Sequence, residues 1–250
     1  MARYDFKSPR LYVDAPFQAG ITLPLSRNQE NYLGNVLRLS AGDAVLAFNG
    51  HDGEWKAAIE GRKRPDRLRL ESLVRPQEPA TRLAYVFAPL KHERLDYMVQ
   101  KAVEMGAAAL TPVMTRFTQV SRVNSERMRA NAIEAAEQCG ILTLPRIDPP
   151  SPLERYLTGR DAGRLLVFCD EDAESTDPVA ALRTRANEAR NGVDVLIGPE
   201  GGFAEEERTA LLKQPATQRL SLGPRILRAD TAAVAALALV NAAFEAMPAN

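Results

Sequence analysis

The sequence predicts two joined parts, a small β-rich domain followed by a larger α/β domain with a mainly parallel sheet, and three observations carry that prediction. Up to about residue 75, apolar runs are short and are separated by Gly, Asp and Pro turn signals. After residue 81, apolar strands alternate with longer helical stretches. Between the two, "RPQEPAT", residues 75–81, reads as a linker. At 250 residues, with 45% hydrophobic and 26% charged residues, the chain has ordinary globular composition and ample material for a core.

In the first part the expected strands are "RLYVD", "ITLPL", "DAVLAFNG", "EWKAAIEG" and "RLRLESLV". One helix interrupts them, with Ser26 as its N-cap and Tyr32, Leu33, Val36 and Leu37 recurring at helical spacing. In the second part the strands are "LAYVFAPL", "AALTPVM", "RLLVFCD", "VDVLIGP" and "QRLSLGP". A helix from His92 to Met105 aligns Leu95, Val99, Ala102 and Val103 and stops at Gly106, a natural C′ residue. Its other face carries Lys91, Arg94 and Lys101. The last helix, "TAAVAALALVNAAFEAM", is too apolar to stand exposed, and either its own sheet or a second subunit covers it.

Composition excludes several functions. No apolar run approaches the ~20 residues that span a bilayer, and "MARYDFKSPRLYV" has no apolar core of a secretory signal, so a soluble, cytoplasmic protein is expected. The two cysteines, Cys139 and Cys169, lack close partners in sequence, which fits a reducing compartment; both are expected to be small buried hydrophobes. His51 and His92 are the only histidines and neither stands at ligand spacing from a cysteine, so no metal is expected. His92 is expected to face solvent near a helix start, and the absence of a nucleophile elbow disfavours acyl transfer. Formal net charge is zero, so a nucleic-acid partner has to be sought in local patches. In "GRKRPDRLRLESLVR" the residues Arg62, Lys63, Arg64, Arg67, Arg69 and Arg75 form either a strip tracking phosphates or the wet face of a strand. The acidic run "DEDAESTD", 170–177, reads as a solvated loop.

The stretch "VLIGPEGGFAEEE" sets an apolar run against a proline and the glycines Gly198, Gly201 and Gly202, more bare backbone than a tight turn needs. It lacks the lysine and Ser/Thr of a P-loop and the spacing of the dinucleotide fingerprint, and Pro199 removes an amide donor. "LSLGPRILRAD" repeats the order of strand, Gly-Pro turn and polar segment entering a helix. Ligands of open α/β sheets collect beyond the carboxyl ends of strands, so Gly198 and Gly223 would share an edge if their strands are neighbours. Either loop alone is equally a plain strand-to-helix turn; together they favour a ligand such as adenine or ribose.

"IGPEGGF" (197–203) and "LGPRILRADTA" (222–232) resemble the two signature loops of the bacterial family that methylates N3 of uridine 1498 in 16S ribosomal RNA, within the knotted SPOUT superfamily. "KHERLDYMVQKAVEMGAAALTPVMTRFTQV" (91–120), "EAAEQCG" with the following "LP" (134–145) and "NVLRLSAGDAV" (35–45) extend the resemblance over essentially the whole chain. It implies a PUA-like, RNA-binding β-barrel over residues 1–75 and a SPOUT α/β methyltransferase domain with a deep C-terminal trefoil knot over residues 76–250. The knot rests on the resemblance alone, since general topology rules exclude it. The resemblance further implies S-adenosylmethionine as cofactor, 16S ribosomal RNA in the small subunit as partner, and a homodimer whose sites use both subunits. Carried over by position, Ile197, Gly198, Glu200, Gly201, Leu222, Gly223, Ile226 and Leu227 surround the adenosyl group. Arg228 is placed to favour the anion of uridine N3. Asp230 is read first as an N-cap, with proton acceptance or orientation of the arginine as alternatives, and Arg225 as a solvated turn residue. Lys91, Arg94, Arg116 and Arg122 are the implied RNA contacts. Two positions depart from the family pattern: Ile141 where an arginine is common, and Asp230 where a glutamate is. The alternatives are a related SPOUT enzyme acting on another ribosomal or transfer RNA site, or a non-enzymatic RNA-binding assembly factor.

Overall fold

The computed structural model describes residues 7–62, 64–170, 172–173 and 177–244. The chain divides into two compact units, Met1–Pro79 with Ala136–Leu144, and Ala80–Ala135 with Pro145–Asn250.

The first unit is a five-stranded sheet of β1 (Arg10–Tyr12), β2 (Thr22–Pro24), β3 (Ala44–Phe48), β4 (Glu54–Glu60) and β5 (Arg67–Arg75), in the order β1-β3-β4-β5-β2. β1 runs parallel to β3 and the other pairings are antiparallel. Alternation decides the faces: Leu68 and Leu70 of β5 are fully buried beside Ala57 and Ile59, while Arg67 and Arg69 face out. Each fully buried leucine contributes roughly 1.5–3 kcal/mol.

Helix α1 (Arg27–Asn31) starts as its sequence predicts. The Gln29 amide donates to Ser26 Oγ at 3.3 Å and the Ser26 amide to Gln29 Oε1 at 2.8 Å, a reciprocal capping box. The regular helical spacing then fails, because Tyr32–Val36 form a π turn in which the Leu37 amide reaches back to Tyr32 O. The wider turn keeps Leu33 fully buried and swings Val36 outward, 61% exposed.

The basic strip is largely neutralised. Arg64 pairs with Glu30 at 3.2 Å, Arg67 with Asp66 at 3.0 Å, Arg69 with Glu60 at 3.0 Å and Arg75 with Glu54 at 3.5 Å. Several of these acids come from β4 and α1, which only folding brings alongside. Lys63 lies outside the described residues. The segment read as a linker is tied down within this unit: Arg75 donates to Gly140 O at 2.5 Å, and Gln77 to Thr143 Oγ1 at 3.0 Å.

The second unit is built on β6 (Leu83–Phe87), β7 (Ala109–Met114), β8 (Arg146–Ile147), β9 (Ser151–Pro152), β10 (Leu165–Cys169), β11 (Val193–Ile197) and β12 (Thr217–Leu220). The order is β12-β10-β11-β6-β7-β8, with β9 beside β7, and the pairings are parallel. β6 and β11 are buried at every position, as parallel strands covered on both faces must be. The covering helices are α2 (His92–Glu104), α3 (Ser125–Cys139), α4 (Leu153–Gly159), α5 (Pro178–Thr184), α6 (Glu205–Leu212) and α7 (Ala229–Phe244).

α2 ends as predicted, with Gly106 at φ +82° just past its C-cap, and Met98 joins Val99, Ala102 and Val103 in the core. α7 packs against β11 between α2 and α5, burying Ala229, Ala232, Ala233, Ala236, Leu237, Val240 and Ala243. Its own sheet and neighbouring helices therefore cover much of the apolar surface, while Val234 and Leu239 stay half-buried; Glu245, Ala246 and Met247 lie outside the described residues.

The cysteines differ from expectation. Cys169, at the end of β10, is half-buried, and desolvation pushes its thiol up to about 12. Cys139 is exposed, because it closes the last turn of α3 on the outward side. The acidic run is not simply solvated. Asp170 accepts from Arg219 Nε at 2.7 Å and pairs with Arg208 at 3.1 Å, and Asp177 caps α5 by accepting from the Ala180 amide at 2.9 Å. Asp172 has a side chain 81% exposed, with Arg208 at 3.6 Å; Glu171, Glu174, Ser175 and Thr176 lie outside the described residues.

Candidate active site at the carboxyl edge of the parallel sheet

Because β6, β7, β10, β11 and β12 run in parallel, the segments that follow them leave from one edge. Gly198 and Gly223 share that edge although their strands are not neighbours, since β10 lies between β11 and β12. The chain turns one way from β6 into β7, while β10 and β11 lie on the other side, which makes the β6/β11 boundary the switch point where such sheets bind ligands.

The glycines of the first loop have separate causes. A Cβ on Gly198 would meet the Phe203 ring at 3.0 Å, and one on Gly201 would meet Phe117 Cβ at 3.2 Å. Phe203 is itself fixed edge-on to Phe168, centroids 6.3 Å apart. Gly202 closes the turn by donating its amide to Pro199 O at 2.9 Å, with φ +71°. Packing against the chain's own aromatics therefore already requires two of the glycines. Gly202 and Gly223, the latter at φ +97°, have nothing within 4 Å of a built Cβ, so open space adjoins the backbone of both loops.

In the second loop Leu222 and Leu227 are half-buried, Ile226 is 89% exposed, and Arg225 and Arg228 are exposed. Neither arginine has an ion-pair partner among the described residues. α7 begins at Ala229, so Asp230 lies inside its first turn and is not the N-cap. The Ala232 amide donates to Arg228 O at 2.8 Å. The Asp230 carboxylate accepts from the Thr231 amide at 2.9 Å and faces Arg94 Nε at 3.3 Å.

Arg94 is the main departure from the sequence reading. Its Nη1 also donates to Glu200 Oε1 at 2.8 Å, so the guanidinium joins α2 to both loops. No sequence signal announced this, because residues 94, 200 and 230 meet only through the sheet order. Lys91, Arg116 and Arg122 are exposed and without ion-pair partners among the described residues. The Arg116 amide donates to Glu207 Oε1 at 2.8 Å, and the other Glu207 oxygen accepts from the Ala204 amide at 2.9 Å, so one carboxylate ties the β7 exit to the start of α6. Of His92, only its place as the first residue of α2 is described.

Beneath the edge, burial holds the Tyr85 hydroxyl well above its usual range, reinforced by Cys169 and Asp230. Burial thus favours the protonated forms of Tyr85 and Cys169. Among the described residues no cluster of His, Cys, Asp and Glu is arranged to hold a metal ion, and no helix is long and apolar enough to cross a membrane.

The open backbone at Gly202 and Gly223, the apolar Leu222, Ile226 and Leu227, and the exposed cations beside them fit a nucleoside-bearing ligand and a polyanion on one edge. Residues 76–241 match the family model of an RNA methyltransferase domain, and residues 25–66 that of an RNA methyltransferase PUA domain. The chain is 31% identical over 238 residues to ribosomal RNA small subunit methyltransferase E of Rickettsia conorii, covering 94% of this chain and 96% of the relative. To the protein of that name from Synechocystis sp. it is 29% identical over 228 residues, 90% and 74% of the two chains. A solved putative methyltransferase of Legionella pneumophila, in complex with S-adenosylmethionine, superposes with a TM-score of 0.81 at 30% identity, over 95% of this chain and 98% of that one. Fold and site thus define an RNA methyltransferase of the SPOUT class carrying a PUA-like domain. Within that class, the chain belongs to the family of ribosomal RNA small subunit methyltransferase E.

Proposed function

We propose that this protein transfers a methyl group from S-adenosylmethionine to N3 of uridine 1498 in 16S ribosomal RNA of the small subunit. The observation that carries this reading is the pair of Gly-Pro loops leaving one edge of a parallel sheet, open at Gly202 and Gly223 and bordered by cations without ion-pair partners among the described residues. Ile197, Gly198, Glu200, Gly201, Leu222, Gly223, Ile226 and Leu227 are assigned to the cofactor. Ile197 is buried, Gly198 and Gly201 pack against Phe203 and Phe117, and Ile226 offers an exposed apolar surface. When bound, S-adenosylmethionine supplies a methyl group already activated by its sulfonium.

The remaining work belongs to the chain. Uridine N3 is a weak nucleophile until it loses its proton, and a guanidinium beside it favours the anion. Arg228, exposed on the second loop, is assigned that role. Asp230, engaged by Arg94, is assigned to shaping the loop exit, with the N3 proton leaving to water. Lys91, Arg116 and Arg122 meet the RNA backbone. Residues 1–75 form an RNA-binding domain and residues 76–250 the methyltransferase domain. A trefoil-knotted C-terminal segment, a homodimer and a cytoplasmic location belong to the same reading.

The test is incubation of purified protein and S-adenosylmethionine with small subunits lacking the modification, followed by mass spectrometry of RNA fragments. A new methyl group at N3 of that uridine is the expected result. A methyl group at another site, or none, overturns the assignment.

A further inference from the structure

We propose that Arg94 is a positioning residue: it fastens the two Gly-Pro loops to α2 and so sets the mouth of the cofactor site. This rests on the S-adenosylmethionine reading above and replaces the expectation that Arg94 contacts phosphate. One planar guanidinium reaches Glu200 Oε1 at 2.8 Å through Nη1 and Asp230 Oδ2 at 3.3 Å through Nε. Glu200 sits in the turn closed by Pro199 and Gly202, and Asp230 in the first turn of α7, two residues after Arg228. The strands before these segments are held apart by β10, so the Arg94 side chain is a direct tie between the loops.

Charge supports the tie over a phosphate contact. The Arg94 guanidinium is already engaged by two carboxylates, which compete with a phosphate for it. Removal of the guanidinium would leave two like charges facing one another across the loops. The fork also matters, since a lysine presents a point charge and cannot hold two differently placed carboxylates as a planar guanidinium does. Arg94 is itself seated in the first turn of α2, its amide donating to Lys91 O at 3.1 Å, so the anchor is the helix end.

The experiment titrates S-adenosylmethionine calorimetrically into wild type, Arg94→Ala, Arg94→Lys and Asp230→Asn, and measures the salt dependence of binding to a 16S RNA fragment for each. Amide exchange over residues 200–204 and 230–233 is followed without ligand. The expected result is about tenfold weaker cofactor binding in Arg94→Ala. Arg94→Lys should fall between that variant and wild type, exchange at both loops should quicken, and the salt slope should stay unchanged. Cofactor affinity or exchange in Arg94→Ala equal to wild type overturns the proposal, as does a salt slope lowered by about one, the signature of a lost phosphate contact. Should Arg94→Ala fail to fold, Arg94→Lys and Asp230→Asn carry the same comparison. If wild type itself binds no S-adenosylmethionine, the methyltransferase reading fails, and the exchange data still decide whether the tie exists.

Discussion

Arg228 and Gly198 stand on the same edge of the sheet and are tested by opposite outcomes. Arg228 is exposed, and its backbone carbonyl alone joins the α7 ladder, so removing the side chain leaves the local structure intact. Arg228→Ala should therefore melt like wild type and keep its cofactor affinity while losing most methylation, about 100-fold or more if the guanidinium stabilises developing charge. Full turnover in that variant would remove Arg228 from the mechanism. Gly198→Ala should show its effect in stability instead. Its new Cβ would press on the Phe203 ring at 3.0 Å, and that ring is backed by Phe168, so stability should drop by roughly 1–3 kcal/mol in denaturant melts. The sequence marked Gly198 as unusual but could not supply the cause, because Phe203 follows in the same loop, whose path no periodicity describes. The cap expected at Asp230 lies two residues past the actual helix boundary, since an acid before an apolar helix looks like a cap whether it stands at the boundary or just inside it.

At the scale of elements, two clusters of charge hold strands in place. Glu54 opens β4 with its side chain 6% exposed, accepting from Arg10 Nε of β1 at 2.8 Å and facing Arg75 Nε of β5 at 3.5 Å. Truncation breaks the buried pair with Arg10 and removes one of the partners of Arg75, so Glu54→Ala should cost about 3–5 kcal/mol by chemical denaturation. In the second unit Asp170 clamps Arg208 of α6 and Arg219 of β12 to the end of β10. Burial pushes its carboxyl up, but the Arg208 contact, the Asp172 amide and Arg219 outweigh that and hold it below the usual 3.8. A depressed value means that the folded state binds the proton less readily than the unfolded chain. The stabilisation is thus complete above the unfolded value and is lost as pH falls through the folded one. Asp170→Asn should be less stable than wild type by about 1–3 kcal/mol at neutral pH. The gap should narrow in melts carried below pH 3.8, and a constant gap would show that the charge contributes nothing. Strands were legible because runs such as "LAYVFAPL" and "VDVLIGP" are buried on both faces. Both charge clusters were not, because their members are joined by register and by strand order. The π turn at Tyr32–Val36 escaped for a related reason, since one extra residue shifts a face without altering composition.

Across the whole molecule a net charge of zero conceals an uneven distribution of paired and unpaired cations. The strip around β5 looked the most basic in sequence, yet Arg64, Arg67, Arg69 and Arg75 each face a carboxylate. Lys91, Arg116, Arg122, Arg225 and Arg228 are scattered in sequence, lack ion-pair partners among the described residues, and follow β6, β7 and β12 at one edge of the second unit. A linear run of arginines reports composition, whereas counterion release reports cations free to meet phosphate. Each phosphate neutralised on folded RNA adds roughly 0.7–0.9 to the slope of log affinity against log salt. Alanine at Lys91, Arg116 and Arg122 together should therefore lower that slope by about 2–3. Alanine at Arg64, Arg67 and Arg69 should change it by less than about one, because those side chains exchange an existing carboxylate partner for a phosphate. Filter binding of a 16S RNA fragment across a salt series gives both slopes in one experiment. The reverse order would place the phosphate track on the first unit and leave the carboxyl edge to the cofactor alone.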